Sequence, residues 1–120
     1  MRHGHVRDRF PRISLNLPDV NGPMNIEFVV DTGFDGDLAL PFHLADALEA
    51  FPSAYRRVRL ADDSESNLPY QKILLDWDED VLPMEVLILE GMPLLGVGLM
   101  EDHLLQAEMR DGGEVSLEPL

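Results

Sequence analysis

The chain has 120 residues, an apolar fraction of 45% and a formal net charge of −14. A chain of this length suits one compact domain, so we predict a single domain over residues 1–120. The strong negative charge argues against nucleic acid and anionic membranes as partners, because both would repel the surface. The chain has no cysteine, which excludes disulfides, thiol catalysis and thiolate metal sites.

The sequence also bears on where the protein works. No apolar stretch approaches the roughly 20 residues that a membrane-spanning helix needs. The first residues are polar and charged, and they lack the hydrophobic segment of a secretory signal. We therefore expect a cytoplasmic protein without a membrane partner.

The first half of the chain predicts short strands separated by turns. Polar and apolar residues alternate over residues 12–17, and an increasingly apolar run at 24–30 predicts a second strand that enters the core. Residues 31–37 contain two glycines and three aspartates and are expected to form a loop. A short extended piece follows at 38–41. Helical spacing of apolar residues predicts a helix over residues 43–51.

The second half continues the same pattern of short elements. Its predicted elements are a strand at 55–61, an exposed polar turn at 62–67, a returning strand near 70–75, a strand at 81–89, a short helix at 97–104 and a closing hairpin of 104–109 with 114–117. Short strands with frequent turn signals and one or two small helices indicate a mainly β, barrel-like domain.

The tripeptide Asp31-Thr32-Gly33 follows the apolar strand at 24–30 and occurs once in the chain. A carboxylate at the end of a buried strand, in a tight turn with a hydroxyl residue and a glycine, suggests the chemistry of aspartic proteases. Because the motif is single, one chain would hold half of an active site. A second apolar run that ends in glycine, Leu94-Leu95-Gly96, comes much later in the chain.

These residues resemble the retropepsin-like aspartic proteases, and most closely the small single-domain bacterial members of that family. The resemblance rests on residues 29–34, Gly36, residues 38–41, residues 93–96 and residues 113–115. In order and spacing it extends over roughly residues 12–117. It implies a closed retropepsin-like barrel with one or two short helices, working as a homodimer.

The resemblance assigns a role to each residue of the two motifs. Asp31 is the catalytic carboxylate, and one from each chain would activate the water that hydrolyses a peptide bond, without a cofactor or a metal ion. The Thr32 hydroxyl would lock the two loops across the dimer axis. Gly33 would allow the backbone and the substrate to approach closely. Packing behind the loop is assigned to Leu94, Leu95 and Gly96.

The resemblance also implies a flap and an interface. A hairpin with its tip at Ala61, Asp62, Asp63 and Ser64 would cover the cleft and an extended peptide or protein substrate. The two termini, near residues 6–10 and 115–120, would interleave into an interface sheet. Residues 1–10 are accordingly expected to be a flexible segment or part of the dimer interface.

Two other functions remain open. Phe34 stands where family members often have serine or alanine, and the hairpin tip contains no glycine. Both features would suit a catalytically silent dimeric module of the same fold that binds a peptide or protein. An unrelated acidic β domain that carries the tripeptide by chance is the third interpretation.

The charged residues beside these motifs have plain interpretations as well. Asp35 and Asp37 would either alter the acidity of Asp31 or act as ordinary loop residues that cap backbone amides. Arg56, Arg57 and Arg59 form the one local basic cluster in the sequence. They would line a solvated strand face or contact acidic residues of a substrate.

The histidines carry no clear catalytic pattern. His3 and His5 could form a metal site with Asp8, but two histidines in a polar terminus are more typical of a disordered tail. For His43 and His103, near the ends of predicted helices, we expect a surface or capping role.

Overall fold

The computed structural model describes residues 1–50, 54–59 and 62–120, and within them the chain is mostly β-strand with two single-turn helices. None of the helices in this part of the chain is long and apolar enough to cross a membrane. The strands are β1 (Arg2–Arg7), β2 (Phe10–Asp19), β3 (Gly22–Val30), β4 (Leu38–Leu40), β5 (Ala54–Arg59), β6 (Glu65–Trp77), β7 (Asp80–Ile88), β8 (Leu94–Leu95), β9 (His103–Ala107) and β10 (Glu114–Pro119). The helices are α1 (Phe42–Ala45) and α2 (Val97–Met100).

The described strands form one open sheet in the order β5-β6-β7-β4-β8-β3-β2-β1-β10-β9. Most neighbours are antiparallel, as expected for a chain of hairpins. The exceptions are β3 with β8 and β4 with β7, which pair in parallel. The prediction of a mainly β fold with short helices is therefore confirmed. Strands β5 and β9 are the two edges of this sheet.

The sheet folds back on itself around one hydrophobic core. Alternate residues of strands from both halves of the sheet point into it, including Ile13, Phe28, Ile73 and Val115, all fully buried. The side chain of Arg2, on β1, donates a hydrogen bond of 2.8 Å to the carbonyl of Asp76 on β6. Because these strands are far apart in the sheet order, this contact links its two halves.

The first residues of the chain form a strand of this sheet. Gly4 pairs with Ile13 of β2 on one side and with Val115 of β10 on the other. His3 and His5 therefore lie on a paired strand, and the expectation of a disordered tail for them is wrong. A contribution of residues 1–10 to a dimer interface stays a prediction.

The helix predicted at 43–51 is much shorter in the structure. Helix α1 ends at Ala45, and the chain then leaves the helical path to contact the end of β2. Leu48 forms an isolated bridge with Asp19, and the Glu49 amide donates to the Pro18 carbonyl at 2.8 Å. These long-range bonds replace the local ones that would have continued the helix. Phe51 lies outside the described residues.

Two further boundaries differ from the prediction for similar reasons. The helix predicted at 97–104 ends at Met100, because Asp102 has a positive φ of 60° and His103 begins the pairing of β9 with β10. The polar turn predicted at 62–67 is confined to 62–64, since Glu65–Asn67 already pair with β5. Polar residues are thus part of an exposed hairpin there.

Candidate active site

The turn that carries Asp31 lies where three strands meet. Strand β8 sits between β3 and β4, the strands that precede and follow the turn. Leu95 pairs with Val30 on one side and with Leu38 on the other. The short apolar run 94–95 therefore holds both ends of loop 31–37. The resemblance assigned packing behind the loop to Leu94 and Leu95, and their role in an active site stays a prediction.

Asp31 is anchored through its backbone, and its carboxylate is oriented within the turn. Its amide donates to the Leu95 carbonyl at 2.9 Å, and its carbonyl accepts from the Phe34 amide at 3.2 Å. One carboxylate oxygen, Oδ1, accepts a hydrogen bond of 2.9 Å from the Gly33 amide. The side chain is only partly buried. The result is a positioned carboxylate at the surface of the described chain.

Helix α2 holds the loop from behind by its first amides. The amides at the start of a helix have no partner inside the helix. Here Gly96, Val97 and Gly98 donate theirs to carbonyls of Asp37, Phe34 and Gly36 at 2.9, 2.9 and 3.0 Å. These bonds provide hydrogen-bond partners both for the loop carbonyls and for the first amides of α2.

Position 96 requires glycine, because its backbone packs directly against the same loop and leaves no space for a side chain. A side chain there would meet the Gly36 carbonyl oxygen, and also the Phe34 ring at 2.6 Å and the Phe34 carbonyl oxygen at 2.7 Å. The Phe34 ring also lies directly beside Gly36. In the sequence, Phe34 belonged to the segment 29–34 that carries the resemblance, but it stood where family members often have serine or alanine. In the fold its ring packs beside two glycines.

Asp37 contributes to the architecture of the site in a way that the sequence only partly indicated. Its Oδ2 accepts a hydrogen bond of 3.1 Å from the Glu85 amide on β7. The expectation that Asp37 caps a backbone amide is therefore confirmed. The sequence could not identify the amide, because Glu85 is far away in the chain.

Thr32 and Gly33 are exposed at the tip of the turn. The Thr32 hydroxyl makes no hydrogen bond to any described residue, so it is available for an external partner. A Cβ at Gly33 would lie 3.3 Å from Oδ1 of Asp31, which is tighter than ordinary van der Waals contact, and apart from its two chain neighbours it would meet no other atom of the described residues within 4 Å. A methyl group at this position therefore fits only if the exposed end of the Asp31 side chain gives by a few tenths of an ångström.

The tip of the β5–β6 hairpin is held by its own polar side chains. Oδ1 of Asp62 accepts bonds from the Ser64 hydroxyl at 2.5 Å and from the Ser64 amide at 3.0 Å. The hydroxyl bond is the main cause that lowers the pKa of Asp62. Asp63 has a φ of 65°, a conformation that glycine adopts more readily. Ala61, the fourth residue predicted for the flap, lies outside the described residues.

Two grooves border the turn and share Asp35. An open, mainly apolar groove of about 530 Å³ lies against α2 and β9, where Thr32, Val97, Met100 and Leu105 line it. A smaller groove of about 100 Å³ lies between the loop and strand β5. The turn that carries Asp31 therefore separates an apolar surface from a charged one.

The described residues hold no group of three or more histidine, cysteine, aspartate or glutamate side chains arranged to bind a metal ion. Comparison of the chain with protein-family models, with curated proteins and with solved structures gave no match.

Proposed function

We propose that the protein is an aspartic endopeptidase that works as a homodimer of retropepsin-like subunits. The observation that carries the proposal is the environment of Asp31. Its carboxylate is fixed by the Gly33 amide, its backbone is fixed by Leu95, and its turn ends at the surface. A carboxylate that is positioned but still accessible is what an acid–base catalyst requires.

In the proposed dimer, Asp31 of each chain faces the other across the symmetry axis. Two carboxylates about 3 Å apart cannot both ionise, so the pair shares one proton. The charged member takes a proton from water, which attacks the carbonyl carbon of the peptide bond. The protonated member donates to the carbonyl oxygen as the carbon becomes tetrahedral. The titration then belongs to the pair and not to either residue.

The apolar groove beside the turn supports the choice of a second copy as partner. Val97 and Leu105 line it next to the free hydroxyl of Thr32. Burial of such a surface stabilises association and has to overcome the repulsion between two chains of charge −14. Strand β9 forms the sheet edge beside this groove, and edge strands readily pair with another chain. A closed retropepsin-like barrel in each subunit is also part of this proposal.

The substrate in this proposal is an extended peptide that lies under the β5–β6 hairpin. Extended peptides bind at exposed strand edges through backbone hydrogen bonds. β5 is such an edge in the described sheet. A cytoplasmic location remains a prediction from the composition.

The alternative function is a catalytically silent dimeric module that binds a peptide or protein in the same cleft. The specific observation in its favour is the hairpin tip. Asp62 and Ser64 bond to each other, and the tip lacks the glycine that would ease its opening. Hydrolysis by the wild-type chain would exclude this alternative.

The test combines one variant with two measurements. The wild-type chain and Asp31→Asn are compared by sedimentation and by digestion of a peptide library between acidic and neutral pH. Asparagine keeps an oxygen that can accept from the Gly33 amide, so the turn and the dimer should persist. Cleavage should fall by about 10³-fold or more, as is typical for loss of an acid–base catalyst.

A matched control is Asp46→Asn, which removes an exposed carboxylate after α1, outside the proposed cleft. Its cleavage rate should equal that of the wild type. Equal cleavage by Asp31→Asn, or a stable monomer at all concentrations, would contradict the proposal.

A further inference from the structure

Strand β5 places two arginines on the same face. Successive side chains of a strand alternate between its faces, so Arg57 and Arg59 share one face and Arg56 and Val58 the other. The separation of alternate residues along a strand is about 6.6–6.8 Å. The two guanidinium groups therefore leave the strand with the spacing of alternate residues in a neighbouring extended chain.

β5 is the first strand in the sheet order, so the side of β5 that faces away from β6 pairs with no described strand. All six of its residues are at least partly exposed. The groove of about 100 Å³ runs between this strand and the catalytic loop, and residues 56–59 line it together with Asp35 and Asp37. An extended chain bound along this edge would therefore lie beside the loop that carries Asp31.

The charged side chains along β5 and beside it are not equally available. Arg56 forms an ion pair of 2.7 Å with Glu85. Asp37 already accepts from the Glu85 amide. Arg57, in contrast, has a side chain that is 73% exposed, and its contact with Glu65 is long at 3.7 Å. Arg59 has no ion-pair partner among the described residues.

We propose that the free edge of β5 binds an extended peptide with acidic residues at alternate positions, which pair with Arg57 and Arg59. This inference rests on the proposed function, because the bound peptide is the substrate of that enzyme. The backbone of the peptide adds to the β5 edge as a further strand. Its two carboxylates lie on the face of the two arginines, where directly opposite side chains meet. Arg57 and Arg59 are thus specificity-determining residues.

The binding test uses the full chain with Asp31→Asn, so that no peptide is cut. Three fluorescent peptides of one scaffold are compared by anisotropy at about 150 mM salt, where screening limits the repulsion from the net charge to about 8 Å. The first carries Glu-x-Glu, the second has the same residues rearranged as Glu-Glu-x, and the third carries Gln-x-Gln. The Glu-x-Glu peptide should bind tightest.

Variants on this background then assign the effect to particular residues. Arg57→Gln and Arg59→Gln should each weaken binding of the Glu-x-Glu peptide about three-fold, the size of one exposed ion pair. Glu65→Gln should strengthen it, because it frees Arg57 from its competitor. Arg110→Gln removes an equally exposed arginine that pairs with Glu108. It should leave the affinity unchanged.

Equal affinity for the three peptides, no binding of any of them, or an equal effect of Arg110→Gln would overturn the inference. Cleavage by the wild-type chain separates this result from the proposed function. If neutral peptides are cut as fast as acidic ones, the proposed protease activity is supported and the proposed specificity for acidic peptides is contradicted. If the acidic peptide binds through the arginines but is never cut, the specificity is supported and the protease activity is contradicted.

Discussion

His103 and Asp78 join two segments that are far apart in the chain. Nε2 of His103, at the start of β9, lies 2.5 Å from Oδ2 of Asp78 in the β6–β7 turn. The other ring nitrogen lies 2.6 Å from the Glu101 carbonyl oxygen. The histidine side chain is 8% exposed and contacts Glu101, the C-terminal cap residue of α2, so of the two expected roles, surface or capping, the capping role fits the structure. Asp78 and Glu79 both have positive φ, and this contact supports their turn.

We expect the pair of His103 and Asp78 to contribute to the free energy of unfolding. Removal of one partner from this hydrogen bond, whose histidine side chain is buried and whose aspartate is partly exposed, is expected to cost about 1–3 kcal/mol. His103→Leu and Asp78→Ala should each destabilise the chain by that amount, measured by urea unfolding. The double variant should reveal a coupling of about 1 kcal/mol. Asp80→Asn, at a neighbouring exposed carboxylate, should have almost no effect, and additive single effects would contradict the pair.

The two glycines of the site should respond differently to alanine. Gly96→Ala forces a methyl group into the Gly36 carbonyl and Phe34, and overpacking of this kind costs about 1–3 kcal/mol. Gly33→Ala meets only the Asp31 carboxylate, so its unfolding free energy should stay within about 0.5 kcal/mol of the wild type. If Gly33 serves close approach of the substrate, cleavage by Gly33→Ala should still fall. Equal stability of the two variants would contradict the packing argument.

Thr32→Val tests the proposed contact across the dimer axis. The Thr32 hydroxyl has no bond to a described residue of its own chain, so the monomer should lose no stability. By symmetry a dimer would lose two hydrogen bonds, and its dissociation constant should rise about ten-fold. Sedimentation over a concentration series measures this. An unchanged dissociation constant would show that the hydroxyl has another role.

The ion pair of Glu27 with Arg7 predicts a specific pH dependence. The hydrogen bond from Arg7 is the main cause that lowers the pKa of Glu27 in the folded chain. A pKa that folding lowers stabilises the folded chain at pH values above the pKa of the same glutamate in the unfolded chain, about 4.3. This stabilisation is lost as the pH falls through the pKa of Glu27 in the folded chain. Glu27→Gln should therefore cost on the order of 0.5 kcal/mol at pH 7, because the pair is exposed.

In acid, below both pKa values, the difference between Glu27→Gln and the wild type should disappear in urea unfolding. Glu118→Gln is the control, since Glu118 has no ion pair among the described residues. A difference that stays constant down to strongly acidic pH would indicate that the glutamate acts through its shape and not through its charge.

Local signals were sufficient to predict the centre of the fold. The apolar run at the end of β3 and the turn residues that follow it predicted the position of Asp31 correctly. The strand and its turn are determined by hydrophobic burial and turn chemistry, which are visible in sequence. The position of Leu94-Leu95 behind the turn was expected only from the resemblance to retropepsin-like proteases.

Elements determined by distant partners were not predictable in the same way. α1 stops early because Leu48 bridges to Asp19, and the helical spacing of its sequence contains no sign of that contact. The turns at Asp8–Arg9 and Asp78–Glu79 have positive φ without glycine, so the usual signal of a two-residue hairpin is missing. The packing of Phe34 beside Gly96 likewise depends on two segments that meet only in the fold.

The bond between the Asp31 amide and the Leu95 carbonyl has a consequence for how the protein folds. The turn can reach its final shape only after β8 and α2, from late in the chain, have inserted beside β3. Contacts between residues of large sequence separation require loop closure and form slowly. We therefore expect the chain to acquire its hairpins first and the Asp31 turn last. A nascent chain would then lack the final Asp31 turn until residues up to the end of α2 at Met100 have been made.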